Sequence, residues 1–234
     1  MKPTNQAQVW DEIAENWNKY REIPSPAVVD FLQNRGGRVL DLGCGSGRNF
    51  RAMAHAGVSP DGQKKDAAHN GVSSAEQKIY GVDFSEKMLK LAEKNAKTLK
   101  LNVVLKKAPA NDLPFSDDFF DSIICVAVLH CVPKKSDRQK AIKEIYRTLR
   151  SGGKAFISVW GKESPRLKNK PKECFVSWSI KSNKEFRKGE QEIKQERFTY
   201  IYDLEELKKE VLDAGFEIDS IWEERNVNVI VRKD

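Results

Sequence analysis

The chain has 234 residues, 41 Lys and Arg against 34 Asp and Glu, a net charge of +7 and a pI near 9.1. That length suits one domain with a sizeable core, or one domain carrying an insertion, and argues against two independent ones. Cys44, Cys125, Cys131 and Cys174 form no CxxC pair, which argues against a disulfide framework or a metal site of the chain's own and predicts a reduced, cytoplasmic setting. The polar start and the lack of a long apolar run predict neither a secretory leader nor a membrane partner.

Residues 6–20 carry Val9, Trp10, Ile13, Ala14 and Trp17 at helical spacing. A Pro-Ser-Pro turn at 24–26 opens a second helix, ended by Gly36 and Gly37, so 1–36 reads as an N-terminal helical extension. Strands are predicted at 38–42, 79–83, 101–105, 120–128 and 155–160, with helices at 85–98 and 136–150 between them. Alternating strands and helices imply an α/β fold with a mostly parallel sheet covered on both faces. After Tyr202 the chain reads as a helix closed by Gly215 and then two strands with a short link, an antiparallel hairpin at the sheet edge.

Two stretches break the repeat. Residues 57–77 are polar and rich in Gly and Ser, a surface insertion. Residues 161–198 are basic but studded with Phe175, Trp178, Phe186 and Phe198, which suits either a lid with base-stacking rings or a subdomain using the rings as its own core. The basic surplus is concentrated around the start of that stretch: 134–172 holds 13 Lys and Arg against three acids. The concentration predicts a surface for an anionic partner, the plainer alternative being solvated helix and loop faces.

The chemistry begins at "VLDLGCGSGRNF", residues 39–50: a strand, then Gly43, Gly45 and Gly47, then a helix. Bare backbone there admits a nucleotide-like cofactor. The spacing is not that of dinucleotide enzymes, and Asp41 would repel a pyrophosphate while welcoming a cationic, zwitterionic ligand.

With "GVDFSEKML", "LPF", "FDSIICVAVLH" and "LRSGGKAFISVW" following in order, the chain from Val39 onward resembles the class I S-adenosylmethionine-dependent methyltransferases. The resemblance implies a Rossmann-like seven-stranded sheet and S-adenosyl-L-methionine as cofactor. It assigns cofactor binding to Asp41, Gly43, Gly45, Gly47, Asp83, Phe84, Ala110, Asn111 and Val126. A carboxylate at Asp83 can accept from both ribose hydroxyls. Pro109 departs from the family, standing where an acid meets the adenine amino group, so the acceptor falls to Asn111 or Asp112.

The outer motifs "VWDEIAENWNKYREIPSP", "AVLHCV", "CFVSW" and "RFTYIY" resemble the tRNA wobble-uridine carboxymethyl O-methyltransferases. Cys131, Ser177, Phe198, Thr199 and Tyr200 depart from that family's residues, as in a distant relative. The resemblance implies His130, Arg21 and Arg197 as catalytic residues, and these with Trp178, Tyr200 and Tyr202 as substrate-binding ones. It also implies two partners, the tRNA anticodon stem-loop and a small zinc-binding activator protein in a heterodimer, docking at the third strand near 101–105. Two alternatives stay open: a small-molecule methyltransferase acting on a carboxylic acid or quinone, and a non-catalytic RNA-binding subunit of the same fold, which Pro109 invites.

Overall fold

A computed structural model of the chain describes residues 5–20, 23–33, 35–54, 78–180 and 193–234. The expected insertion at 57–77 and the candidate Arg21 lie outside them. Strands β1 (Arg38–Leu42), β2 (Lys78–Asp83), β3 (Val103–Lys107), β4 (Phe120–Val126), β5 (Leu149–Trp160), β8 (Glu217–Glu223) and β9 (Asn226–Arg232) form one sheet in the order β3-β2-β1-β4-β5-β9-β8. β6 (Glu173–Ile180) and β7 (Ile193–Tyr200) form a separate antiparallel hairpin. The first five sheet strands are parallel; β9 runs antiparallel between β5 and β8. This is the α/β sheet expected from the sequence.

Strand alternation divides the core into two layers. Val39, Ile79, Ile124 and Phe156 face α2 (Pro26–Leu32), α3 (Phe50–Ala54) and α4 (Glu86–Thr98), where Phe31, Met53 and Ala92 are buried. Leu40, Val82, Ile123 and Ile157 face α5 (Lys135–Thr148) and α6 (Leu204–Asp213), burying Ile142, Ile145 and Val211. The final hairpin reaches the edge first and then turns inward. β9 takes the inner slot because Val227, Val229 and Val231 are apolar enough for complete burial, whereas β8 alternates with exposed Glu217, Asp219 and Ser220.

The third strand starts two residues later than its apolar run. Leu101 is used to close α4, its N–H donating to the Ala96 carbonyl at 2.9 Å beyond Lys100 at φ 56. The strand then runs on into Lys106 and Lys107, lysines that suit an outer edge.

The 161–198 stretch divides in two. Its first part is a series of turns after β5. Its second is the β6–β7 hairpin, which buries Cys174, Val176 and Phe198 but leaves Phe175 exposed, while Phe186 lies outside the described residues. The hairpin docks on α1 (Gln6–Lys19), where the Phe198 N–H donates to Gln6 Oε1 at 3.0 Å and Trp178 Nε1 donates to Asn16 Oδ1 at 2.8 Å. The opposite flank of α1 is tied to α4 through Ser85 Oγ donating to Asp11 Oδ1 at 2.5 Å and Asn95 Nδ2 donating to Asn18 Oδ1 at 3.1 Å. The leading helix is thus held across the carboxyl ends of the strands.

Gly43 sits at φ +69, and a Cβ there would lie 2.2 Å from Val128 Cγ2. The loops after β1 and β4 therefore meet only because this position lacks a side chain. Gly43→Ala is expected to destabilise the fold by about 2–4 kcal/mol, from overpacking together with left-handed strain. The check is chemical denaturation beside the parent; an unchanged midpoint would contradict the close approach.

Candidate active site

The carboxyl ends of β1, β2 and β4 enclose a cavity of about 280 Å³, at the point where strand order reverses between β1 and β4. Open α/β sheets bind ligands at this position. The glycine loop is anchored there by its own backbone: the N–H groups of Gly43 and Cys44 donate to the Val82 carbonyl at 2.8 and 2.9 Å. At Gly45 an added Cβ would meet only the Met88 sulphur, at 3.9 Å. The space beside that backbone is left for something other than the protein.

Asp83 knits the site together. Its Oδ2 accepts from the Gly45 N–H and its Oδ1 from the Ser85 N–H, both at 2.9 Å. Ser85 then caps α4, its Oγ accepting from the Met88 N–H at 3.1 Å. The Phe84 backbone also contributes a hydrogen bond to Asp83, and the acceptor capacity that remains on the carboxylate is open to a diol. Burial pushes Asp83 up to about 6, against the hydrogen bonds that hold it down. Asp41 lies beneath the glycine loop, buried, and is pushed up to about 7 by desolvation, partly relieved by Asn49 and Arg48.

Asn49 Nδ2 donates to Asp41 Oδ2 at 3.1 Å, which turns Asn49 Oδ1 the other way. That oxygen is buried without a partner among the described residues, and Asn49 lines the cavity. An ammonium group would satisfy it. The opposite wall is apolar, formed by Phe84, Val126 and Ala127, with Pro109, Ala110 and Asn111 at its rim. Asn111 lines the cavity and Asp112 is exposed, so of the two candidate acceptors the structure brings Asn111 to the site. Ala127 adopts φ 63, a conformation rare for alanine and found where a site constrains the chain. A diol acceptor, an orphaned acceptor for an ammonium, bare glycine backbone and a flat apolar wall together fit S-adenosylmethionine.

The remaining wall belongs to α1, which contributes Gln6, Trp10 and Trp17. Behind the two indoles lies Arg197, 2% exposed. Its guanidinium carbon is 5.5, 5.0, 5.7 and 5.3 Å from the ring centroids of Trp10, Trp17, Trp160 and Trp178, four of the chain's five tryptophans. Cation–π attraction from the indole faces offsets part of the cost of burying this charge. Its Nε and Nη2 have no hydrogen-bond partner among the described residues.

His130 stacks on Trp160 at 4.8 Å and its Nδ1 accepts the Trp160 backbone N–H at 3.2 Å, so the neutral ring carries its proton on Nε2. Burial, then the charge of Arg197, pushes His130 down to about 3. It does not titrate near neutrality and stands one layer behind the cavity, fixing one wall of the arginine cage. Its neighbour Cys131 lines the cavity, with its thiol pushed up to about 12 by desolvation.

The structure corrects the stacking role expected of the tyrosines. Tyr202 is fully buried, donating to Glu210 Oε2 at 3.2 Å; Tyr200 is buried beneath the Arg138 guanidinium at 3.8 Å and hydrogen-bonds Glu206. Neither offers a face to a base, because the rings are needed to cover charged groups between β7, α5 and α6. Trp178 is half-buried and spent on Trp17, at 4.7 Å, and on Asn16. Of the nine cofactor candidates, Gly43, Gly45, Asp83, Phe84, Ala110, Asn111 and Val126 line the cavity, while Asp41 and Gly47 lie behind it. Sequence reasoning missed Trp10, Trp17 and Asn49. The two tryptophans were visible as one helix face, but nothing in their spacing says what that face covers.

Both carboxylates must be ionised to serve the cofactor: Asp83 as diol acceptor, Asp41 as the group that orients Asn49. Affinity for S-adenosylhomocysteine should therefore fall roughly a hundredfold as pH drops from about 8 to about 5.5, with proton release on binding in between. Calorimetry in buffers of different ionisation enthalpy measures both. Asp83→Asn should weaken binding at neutral pH and flatten the lower part of the profile, whereas a pH-independent parent would contradict the assignment.

A family model for methyltransferase domains matches residues 40–157, just over half of the chain. The chain is 31% identical to the tRNA (carboxymethyluridine(34)-5-O)-methyltransferase alkbh8 of Xenopus tropicalis over 70% of its own length, and spans only 22% of that relative. It is 24% identical to the tRNA (carboxymethyluridine(34)-5-O)-methyltransferase of Schizosaccharomyces pombe, over 92% of each chain. In three dimensions it is similar to the CcbJ methyltransferase from Streptomyces caelestis, with a TM-score of 0.73 at 15% identity over 98% of this chain and 99% of that one. The chain belongs to the family of methyltransferase domains.

Proposed function

We propose that this methyltransferase uses S-adenosylmethionine to esterify the carboxymethyl group of a modified wobble uridine in tRNA. The observation that carries the reading is the orphaned edge of Arg197. Nε–H and Nη2–H form the side-on fork of a guanidinium, the geometry that receives both oxygens of a carboxylate at once. The substrate named for the relatives from Xenopus and Schizosaccharomyces is a carboxymethyluridine, which carries such a group.

Bound at the cavity, the cofactor supplies an electrophilic methyl group on a sulfonium. The protein's share is positioning. A carboxylic acid with an ordinary pKa near 4 is already ionised at neutral pH, so the acceptor needs no general base, and neither neutral His130 nor un-ionised Cys131 is asked to be one. The Arg197 fork holds the acceptor, the indoles of Trp10 and Trp17 exclude water from it, and Asp83 and Asn49 fix the donor opposite. In the arrangement described, the fork is covered by the α1 indoles. Entry of the acceptor requires them to part, which gives the N-terminal helix the role of a cover over the site. Arg21, by its motif, is assigned to the carboxylate or an adjacent phosphate.

The same reading includes a small zinc-binding activator as heterodimer partner. What supports it is the outer edge of β3, which among the described residues is paired only by β2, with Val104 41% exposed. An added strand satisfies such an edge cheaply.

The test is methyl transfer to tRNA lacking the terminal ester, with and without co-expressed activator, read by nucleoside mass spectrometry. Arg197→Lys keeps the charge but loses the fork, and should lower kcat/KM for tRNA about 100-fold or more with S-adenosylhomocysteine affinity unchanged. If cofactor binds and activator is present but tRNA stays unmodified, the wobble-uridine reading fails.

A further inference from the structure

Residues 161–172 join β5 to β6 as a compact knuckle on the carboxyl edge of the sheet, the edge that holds the cavity. Both its ends are fixed by adjacent residues: the Tyr202 N–H donates to the Trp160 carbonyl at 3.0 Å, and the Ile201 N–H to the Lys172 carbonyl at 2.7 Å. Internal turns follow, with Ser164 N–H to Gly161 O at 3.2 Å, Leu167 N–H to Ser164 O at 2.8 Å and Lys170 N–H to Leu167 O at 3.0 Å. Leu167, 2% exposed, plugs the knuckle into a small core with Trp160, Cys174, Val176 and Ile201. Trp160 is also a wall of the Arg197 cage, so the knuckle and the cage share a side chain.

Leu167 is turned inward, while Lys162, Arg166, Lys168 and Lys170 are all exposed to solvent. None of the four has an ion pair among the described residues, although Lys172 beside them is paired with Asp203 and Glu206. Glu163 is the only acid in the segment. At the start of α5, next to cavity-lining Val132 and Pro133, Lys134 and Lys135 are both exposed and likewise without an ion pair among the described residues. Arg166 lies close enough for its charge to be felt at Arg197.

We propose that the knuckle is a docking surface for the phosphate backbone of the RNA whose modified base enters the cavity, with Lys162, Arg166, Lys168 and Lys170 as its contacts. The inference rests on the tRNA reading above and adds where the chain grips the nucleic acid. Four unpaired cations on a braced scaffold suit a polyanion, because binding need not break existing ion pairs or order a loose loop. The knuckle exposes no large apolar side chain, which disfavours insertion into a lipid surface and base stacking alike. Recognition there is electrostatic and indifferent to sequence, leaving base identity to the cavity.

The experiment compares the parent chain with a variant carrying Lys162→Glu, Arg166→Glu, Lys168→Glu and Lys170→Glu. A second variant carries the same charge change at Lys78, Lys94, Lys97 and Lys100, toward the amino end of the sheet. Each is titrated into a fluorescently labelled anticodon stem-loop at several salt concentrations, and S-adenosylhomocysteine affinity is measured alongside to show that the fold and cofactor site are intact. The knuckle variant should bind the stem-loop at least tenfold more weakly near 0.1 M salt, and the slope of log K against log salt should become shallower by about 3, at ~0.7–0.9 per lost phosphate contact. The control variant should stay within about twofold of the parent, as the knuckle alone is assigned the contacts.

Parent-like RNA affinity and slope in the knuckle variant, or an equal loss in both variants, would overturn the docking surface while leaving the methyl-transfer reading untouched. So would parent binding to phosphatidylserine vesicles in preference to the stem-loop. A parent that binds RNA through the knuckle yet never methylates tRNA would sink the wobble-uridine reading and leave the docking surface standing.

Discussion

A guanidinium enclosed by four indoles is the contact on which the rest of the site depends. Trp10 and Trp17 come from α1, Trp160 from the end of β5, Trp178 from β6 and Arg197 itself from β7, so one buried charge gathers elements from both ends of the chain. Burial lowers the affinity of Arg197 for its proton, and the indole faces are what make its enclosure tolerable. Removing any one of these walls would admit water to the fork and loosen both the hairpin and the leading helix. The same four side chains that exclude water from the site therefore also assemble it.

The cofactor end works by the opposite electrostatics. Two buried carboxylates, Asp41 and Asp83, are both pushed up by desolvation, Asp41 further by the charge of Asp83 and Asp83 by that of Asp11, and they are held by amide donors from Asn49, Gly45 and Ser85. Such a pair is costly when both are charged, and Arg48 offsets only part of that cost at Asp41. A zwitterionic donor with an ammonium and a diol relieves that cost, which gives the site a preference by charge as well as by shape. Cationic fork on one side, anionic pair on the other: the cavity between them is polarised along the direction in which a carboxylate acceptor must approach a sulfonium.

Much of the cofactor half was legible in the linear chain. Gly43 and Gly45 sit at positive φ between a buried strand and a helix, Asp83 ends the next strand, and each follows from local pattern, because strand, turn and cap are short-range structures. The substrate half was less legible. Tyr200 and Tyr202 alternate with Ile201 as a half-covered strand would, and alternation cannot say which face is covered or by what. The rings proved to shield Arg138, Glu206 and Glu210, partners supplied by α5 and α6.

The sequence by itself determined the α/β order, the parallel sheet with its terminal hairpin, the glycine loop and the acid at the second strand, all set by hydrophobic period and turn chemistry within a few residues. The tertiary structure alone decided that α1 covers the cavity, that Phe198 of the hairpin faces inward while Lys162, Lys168 and Lys170 face out, and that Arg197 is sealed with Nε and Nη2 unpaired among the described residues. Trp17 and Trp178 are 161 positions apart in the chain and 4.7 Å apart in space. No local pattern encodes such a meeting, because it arises only when the sheet has brought its carboxyl edge, the hairpin and the first helix to one place.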